Sequence, residues 1–432
     1  MRGAWTGRRV TVVAAFDSFL KSALPYARHL EAQGAEIRYR LVLARANQIS
    51  RAQLDDLGVP ASRTRTLPMD TLVTREALES EDVLLVALNG LRSRRLHLRL
   101  HRAFVGAPRR PVTVSFYPGL IFRMHLEGMA SRMSADLLLL NSPHDLALYE
   151  GALASMGLEN VNAIALGLSF LPTAREREAH RVPADGPIVF AGQPTVPADR
   201  AERRWVLGRL IELARAHPEQ RWQLKPRHRR TETTLHPTDH HYEDLLAERG
   251  PTPASFEVTH APMDALLRRA SACLTFSSTA ALEAVRLGVP TRVLSDVGVH
   301  EHVGNHFFIR SGLHGSLDDV APGLPFVEPA PEWAARHVLA ARDHLDVLDA
   351  RLTELLDRRA STDHPLAPPY PRRFGRSAAL ERALEAEEGW RAVARFGAGG
   401  GSRWTKLRRG LRPLGGTVQD QVARLLDRIR SR

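Results

Sequence analysis

Two kinds of hydrophobic spacing alternate along this chain. Short apolar runs stand at residues 9–15, 37–43, 83–88, 112–116, 137–140 and 161–166, and each reads as a buried strand. Between several of them the apolar positions recur with helical period, as over residues 19–33. Such alternation predicts a parallel sheet with helices on both faces. After a stretch rich in Pro, Arg, Glu and Ala at 171–187, a second alternating series begins. Its strands are predicted at 188–191, 222–224, 256–259, 273–276 and 293–294. A helix over 201–216 draws its apolar side from Trp205, Leu207, Leu210, Ile211 and Leu213. The pattern therefore predicts an α/β chain of two Rossmann-like domains facing across a cleft, followed by C-terminal helices and a basic tail. The expected divisions are a first domain at 1–170, a linker at 171–187 and a second domain at 188–360. A connector and terminal helix follow at 361–396, then a flexible linker and basic tail at 397–432.

In parallel sheets of this kind ligands gather beyond the carboxyl ends of the strands, so residues just after each strand are the candidates. The stretch from Ala272 to Asp296 is the most informative. A strand ending at Phe276 runs into Ser277, Ser278 and Thr279, then a helix over 280–287 that stops at Gly288 and Pro290. The helix start offers hydroxyls, free N–H groups and the positive end of the helix dipole to a phosphate. Glu283, four residues past Thr279, shares its helix face roughly 6 Å along the axis and could accept both hydroxyls of a ribose. A capped helix with one solvated Glu is the plain alternative. The strand at 222–224 delivers Lys225, Arg227 and His228 to its tip, fixed or switchable positive charge where a departing phosphate needs donors. His236 stands before Pro237, which holds it in extended backbone.

The Ser-Ser-Thr, Glu283 and Gly288-Val289-Pro290 sequence resembles the donor-nucleotide segment of GT-B glycosyltransferases. More narrowly, with His236-Pro237 about forty residues upstream, it resembles the serine-pair and His-Pro motifs of bacterial sialyltransferases and polysialyltransferases. It is similar, too, to uncharacterised bacterial proteins described as glycosyltransferases. The likeness covers roughly residues 185–310. It implies a metal-independent transferase without a cofactor, in which His236 contacts the nucleotide phosphate and the donor is a CMP-sugar ahead of a UDP- or GDP-sugar. The acceptor would be a cell-surface glycan or a lipid-linked molecule bound by the first domain. The strand-to-helix loop at 259–264 sits where such enzymes cup the nucleobase.

In the first domain Asp17 follows the first strand and could deprotonate an acceptor hydroxyl, or simply cap the next helix. Glu127-Gly128 matches one half of the acidic-acidic-glycine motif of polysialyltransferases; Leu126 stands where the other acid belongs. Tyr117 and Asn141, after the fourth and fifth strands, are further acceptor-side candidates, and Asn141 could equally form a turn. Residues 91–102, LRSRRLHLRLHR, form a basic, partly apolar run that reads as a solvated helix face, or as one touching an anionic acceptor or lipid.

Composition narrows the setting. Hydrophobic residues make up 44% and charged residues 25%, as in an ordinary globular protein. The lone cysteine, Cys273, lies in an apolar strand, so there is no disulfide framework and a reducing, cytoplasmic setting is expected. The net charge is +12, of which residues 403–432 supply +7 from nine Lys or Arg and two Asp. That tail, with Trp404, Leu407, Leu411 and Leu414, suits the anionic inner surface of a membrane, a protein partner or no fixed structure. The histidines at 236, 240 and 241 and at 300, 302 and 306 lack metal-site spacing. Three other readings stay open: a CDP-polyol phosphotransferase, a sugar-nucleotide epimerase, and a basic protein binding nucleic acid or another polyanion. The last is disfavoured because aromatic residues do not interleave the basic stretches.

Overall fold

The computed structural model describes residues 5–43, 48–121, 131–155, 159–160, 162–230, 238 and 240–360. Glu127, His236, Pro237, the connector and terminal helix at 361–396 and the tail at 397–432 lie outside the described residues.

The first half is a seven-stranded parallel sheet of β1 (Arg9–Ala14), β2 (Glu36–Val42), β3 (Thr64–Leu67), β4 (Val83–Ala87), β5 (Val112–Phe116), β6 (Leu137–Leu140) and β7 (Ala163–Ala165). Its strand order is β3-β2-β1-β4-β5-β6-β7, so the winding reverses between β1 and β4. Strands β4, β5 and β6 are buried along their whole length, as continuous apolar runs require when helices cover both faces. The strand β3, TRTL, went unread in the hydrophobic pattern because it is an edge strand with little buried surface.

The second half is a six-stranded parallel sheet of β8 (Ile188–Ala191), β9 (Trp222–Lys225), β10 (Phe256–Val258), β11 (Ala272–Thr275), β12 (Thr291–Leu294) and β13 (His314–Gly315). Its order is β10-β9-β8-β11-β12-β13, reversing between β8 and β11. The helix Arg200–Ala216 covers this sheet with Val206, Leu207, Leu210 and Ile211. Trp205, counted on its apolar side from sequence, is instead 44% exposed, and Arg203 takes the buried place. The two sheets of Rossmann type confirm the expected α/β fold. Among the described residues no helix is long and apolar enough to cross a membrane.

The chain crosses between the halves more than once. Gly167 has φ near 109°, and any Cβ there would run into the carbonyl of Leu339; this close approach lets Leu168 N–H donate to Leu339 O at 2.9 Å and Leu168 O accept from Ala341 N–H at 3.2 Å. The stretch between the sheets holds the short helix Ala174–Ala179, closed by a Thr173–Glu176 capping box. Helix Leu345–Ala360 then packs Leu348, Leu352, Leu355 and Leu356 into the core of the first half. There Asp349 Oδ2 accepts from Gln33 Nε2 at 2.8 Å and lies 2.9 Å from His29 Nε2.

The buried carboxylates divide by sheet edge. At the amino edge of the first sheet Asp136 accepts both guanidinium arms of Arg110 at 2.7 Å each, as well as Thr113 N–H at 2.9 Å. Glu81 accepts from Thr11 Oγ1 and Arg38, both at 2.9 Å, and Asp82 from Arg109 and Arg359, both at 2.6 Å. These pairs hold strand ends together, and neighbouring guanidinium groups keep Asp82 and Asp136 below the ordinary carboxylate range despite burial. Among the described residues the two buried carboxylates at the carboxyl edges, Asp145 and Glu283, form no such arginine pair.

Candidate active site at the carboxyl edge of the second sheet

Register places three strand tips side by side. Phe190 of β8 lies opposite Leu274 of β11, and Ala191 lies opposite Lys225 of β9. The loops after β8, β9 and β11 therefore meet where the winding reverses, the position at which such sheets bind ligands.

Strand β11 passes through Phe276 into the hydroxyl turn and helix Ala280–Leu287, which ends on Gly288 in the left-handed conformation at φ 76°. The three hydroxyl residues do different things. Ser277 is buried; its Oγ donates to Val303 O at 2.6 Å and accepts from Gln193 Nε2 at 3.0 Å, while its N–H donates to Gln193 Oε1 at 2.9 Å. Ser277 thus ties the β8 loop, the helix start and residue 303 together. Ser278 Oγ accepts the Ala280 N–H at 3.2 Å, and its N–H donates to Thr275 Oγ1 at 3.3 Å. Thr279 sits at the N-cap with helical φ and ψ and makes no side-chain capping bond. Of the three hydroxyls, Ser277 is already donating, whereas the O–H groups of Ser278 and Thr279 are left to donate to a ligand.

Glu283 lies one turn into the helix, 7% exposed. Burial pushes its carboxyl up to about 7; Lys21 and Arg227 oppose the shift and Asp264 adds to it. Lys21 belongs to helix Asp17–Ala32 of the first half, so the two carboxyl edges face each other here. A carboxyl raised from about 4.5 in the unfolded chain to about 7 in the fold contributes stability that is complete below the lower value. That stability drains away as pH rises through the upper one. Glu283→Gln is accordingly expected to grow more stable relative to the parent between pH 4.5 and 7 and to hold its lead above. Urea midpoints measured across that range check it, and a difference independent of pH would show Glu283 to be ordinarily solvated.

Lys225 closes β9, its Nζ donating to Pro226 O at 2.7 Å. Arg227 is exposed and reaches Glu283 through its field. His228 lies aside: Nδ1 is 3.0 Å from Arg229 O, and its ring centre is 5.4 Å from that of His241, the rings tilted by 46°, while His241 Nε2 is 3.1 Å from His228 O. These contacts hold the loop on helix Tyr242–Arg249, which His241 caps.

In the first half Asp17 is exposed at the first position of its helix; Phe16 is the N-cap, so Asp17 makes no capping bond and acts there through charge alone. Asn141 is buried, its Nδ2 donating to Gly119 O at 2.6 Å and joining the loops after β5 and β6. Tyr117 is half-buried with the Arg132 guanidinium 4.1 Å from its ring centre. The structure thus brings Lys225, Arg227, Thr279 and Glu283 to one edge, and sets Asp17, Tyr117 and Asn141 on the opposite one.

Sequence reading missed Arg203. This residue is 1% exposed, and its guanidinium donates to Pro197 O at 2.6 Å, Gln193 O at 2.9 Å, His240 O at 3.3 Å and Pro194 O. It shapes the β8 loop that presents Gln193 to Ser277. Among the described residues no three His, Cys, Asp or Glu side chains converge as a metal site requires.

Two parallel α/β sheets joined in this way define a fold of the GT-B kind. Residues 10–355 match the family model described as "Putative glycosyltransferase (DUF6716)", and the chain belongs to that family. Among solved structures, a UDP-GlcNAc 2-epimerase of Methanocaldococcus jannaschii, in complex with UDP-GlcNAc and UDP, is similar at 11% identity and TM-score 0.49, the match covering 79% of this chain and 99% of that one. MurG of Acinetobacter baumannii is similar at 12% identity and TM-score 0.43, over 80% of this chain and 99% of that one. UGT2 of Phytolacca americana, complexed with UDP-2fluoro-glucose and pterostilbene, is similar at 14% identity and TM-score 0.43, over 83% and 96%. No curated protein matches the chain.

Proposed function

We propose that this protein transfers a sugar from a nucleotide-activated donor to a hydroxyl of a surface-glycan or lipid-linked acceptor. The observation that carries the reading is that the strand tip bearing Lys225, the Thr279 helix start and the buried Glu283 lie along one carboxyl edge of the second sheet, at and beside its winding reversal. Thr279 and the helix start would hold phosphate. Glu283 would accept the ribose hydroxyls, and Lys225 and Arg227 would stabilise charge on the departing nucleotide. Ser277 would support the turn, and the Ser278 hydroxyl, which accepts from Ala280 N–H, would still donate to phosphate. His236 joins the leaving-group side through the His-Pro resemblance alone. Asp17 and Glu127 are the bases that the sequence offers from the first half. The serine pair and His-Pro resemblance favour CMP as the nucleotide; UDP and GDP are the alternatives.

Calorimetry with CMP, CDP, UDP and GDP, without added metal, is expected to find one nucleotide that binds clearly, CMP by preference. A titration in which none binds at millimolar concentration overturns the reading. Binding of one nucleotide whose affinity is untouched by Glu283→Gln would move the site elsewhere.

A further inference from the structure

The loop after β12 leaves the second sheet beside the hydroxyl turn. Thr275 of β11 lies opposite Val293 of β12, so the loops that open at Ser277 and Ser295 start from adjacent points of one edge. The outer arm of the β12 loop, Val299 to His302, is exposed, so apolar packing does little to fix its path. A polar side chain does this instead. Asn305 is 0% exposed, and its Nδ2 donates to Leu294 O at 3.1 Å and to Gly298 O at 2.9 Å. Its Oδ1 accepts the His300 N–H at 3.1 Å, so every partner agrees with one orientation of the amide. The Asn305 carbonyl lies 3.1 Å from Nε2 of His314 on β13. One buried residue thus joins the end of β12, both flanks of its loop and the neighbouring strand.

The closed loop ends on the candidate site. Gly304 takes a left-handed φ of 82°, and its N–H donates to His300 O at 3.0 Å, which brings the chain back toward the sheet. Just before it, Val303 buries its side chain in the core of the second sheet. The Val303 carbonyl accepts from Ser277 Oγ at 2.6 Å, a shorter contact than the 3.0 Å from Gln193 Nε2 to the same hydroxyl. Ser277 is therefore gripped from the β8 side by Gln193 and from the β12 side by a carbonyl whose place depends on Asn305. Ser278 and Thr279, with hydroxyls left to donate, follow directly in the chain.

We propose that Asn305 is a positioning residue of the nucleotide site, acting through Val303 and Ser277. By closing the loop at 295–305 it holds the Val303 carbonyl on the Ser277 hydroxyl. Ser277 in turn keeps Ser278, Thr279 and the helix start in the shape that receives phosphate. This rests on the glycosyl-transfer reading above and concerns its phosphate contact alone. Asn305 itself, fully buried, touches no substrate.

The test uses the full chain and whichever of CMP, CDP, UDP or GDP the wild type binds. Asn305→Ala and Ser277→Ala are each expected to weaken that nucleotide by about five- to tenfold in calorimetry, the scale of one net hydrogen bond. In the Ser277→Ala background Asn305→Ala should add less than about twofold, because residues acting in one chain of contacts are not additive. A purely structural role lowers the urea midpoint but does not produce this non-additivity. Coupling is reciprocal, so saturating nucleotide should slow amide exchange in wild-type peptides spanning 298–306 by the same factor, measured against peptides of β1 and β4. In Ser277→Ala that slowing should vanish. If Asn305→Ala does not fold, the exchange measurements decide alone, since they need only the wild type and Ser277→Ala. Losses that multiply in the double variant overturn the assignment, as does wild-type affinity in Asn305→Ala. So does nucleotide that leaves exchange at 298–306 unchanged, or slowing that persists in Ser277→Ala, which would show the nucleotide touching the loop directly. If the wild type binds no nucleotide, the glycosyl-transfer reading itself fails, a result distinct from the others.

Discussion

Replacing Lys225 with alanine is expected to lower turnover by ~10²–10³, about 3–4 kcal/mol of transition-state stabilisation, the usual cost of losing one well-placed donor to developing negative charge. The amine stands at the tip of β9, one strand from the winding reversal, held there by its bond to Pro226 O at 2.7 Å. Charge on the nucleotide phosphate grows only as the glycosidic bond breaks, so the loss should fall on turnover more than on ground-state affinity. His236→Ala should behave in the same way if the His-Pro resemblance holds. Glu283→Gln should do the opposite, weakening nucleotide binding, since ribose is contacted in ground and transition states alike. Steady-state kinetics paired with calorimetry separate the two patterns. Lys225→Ala with wild-type turnover would remove the leaving-group role from β9.

Replacing Arg203 with methionine is expected to cost about 3–5 kcal/mol of stability, because unpaired buried acceptors cost ~1–3 kcal/mol each and water entry relieves part of that sum. The guanidinium serves carbonyls of Gln193, Pro194, Pro197 and His240 from a site with 1% exposure. Arg203→Lys should recover little, since one ammonium cannot reproduce the planar fork. Nucleotide affinity should fall as well, because Gln193 supplies both bonds that hold Ser277 from the β8 side. Urea denaturation and nucleotide titration of the same variants give both readouts. A variant as stable as the parent would mean that water takes over all four carbonyls.

What the sequence made legible follows from what side-chain patterns encode. Continuous apolar runs such as LLLL at 137–140 mark strands buried on both faces, and they stand where the pattern put them. The strand TRTL at 64–67 was invisible because its neighbours, not its own side chains, make it a strand. The run at 91–102 was read as a solvated basic face, yet Leu96, His97, Leu98 and Leu100 are buried and Arg92 packs 4.8 Å over the Phe16 ring. Long basic side chains cover apolar surface with their stems, and composition alone conceals this. The hydroxyl turn was found from its helix-start grammar, but not its division of labour. Ser277 and Thr279 are alike on paper, and only the approach of Gln193 and residue 303 separates them. Nothing in the sequence sets Arg203 apart from the other arginines of its helix. Nothing in the sequence sets Asp145 apart from the other polar residues after the strand at 137–140; only packing reveals that its buried Oδ1 lacks a partner.

The helix Leu345–Ala360 has a consequence for synthesis on the ribosome. Its Leu348, Leu352, Leu355 and Leu356 complete a core whose sheet ends at Ala165. At ordinary translation speeds the nascent first half waits on the order of ten to forty seconds for its last apolar layer. During that interval the face destined for the helix is bare, and Asp82 has yet to meet Arg359. Long-range closure of this kind raises contact order and slows folding. It also sets the whole second sheet, in chain order, between the first sheet and the helix that completes that sheet's core.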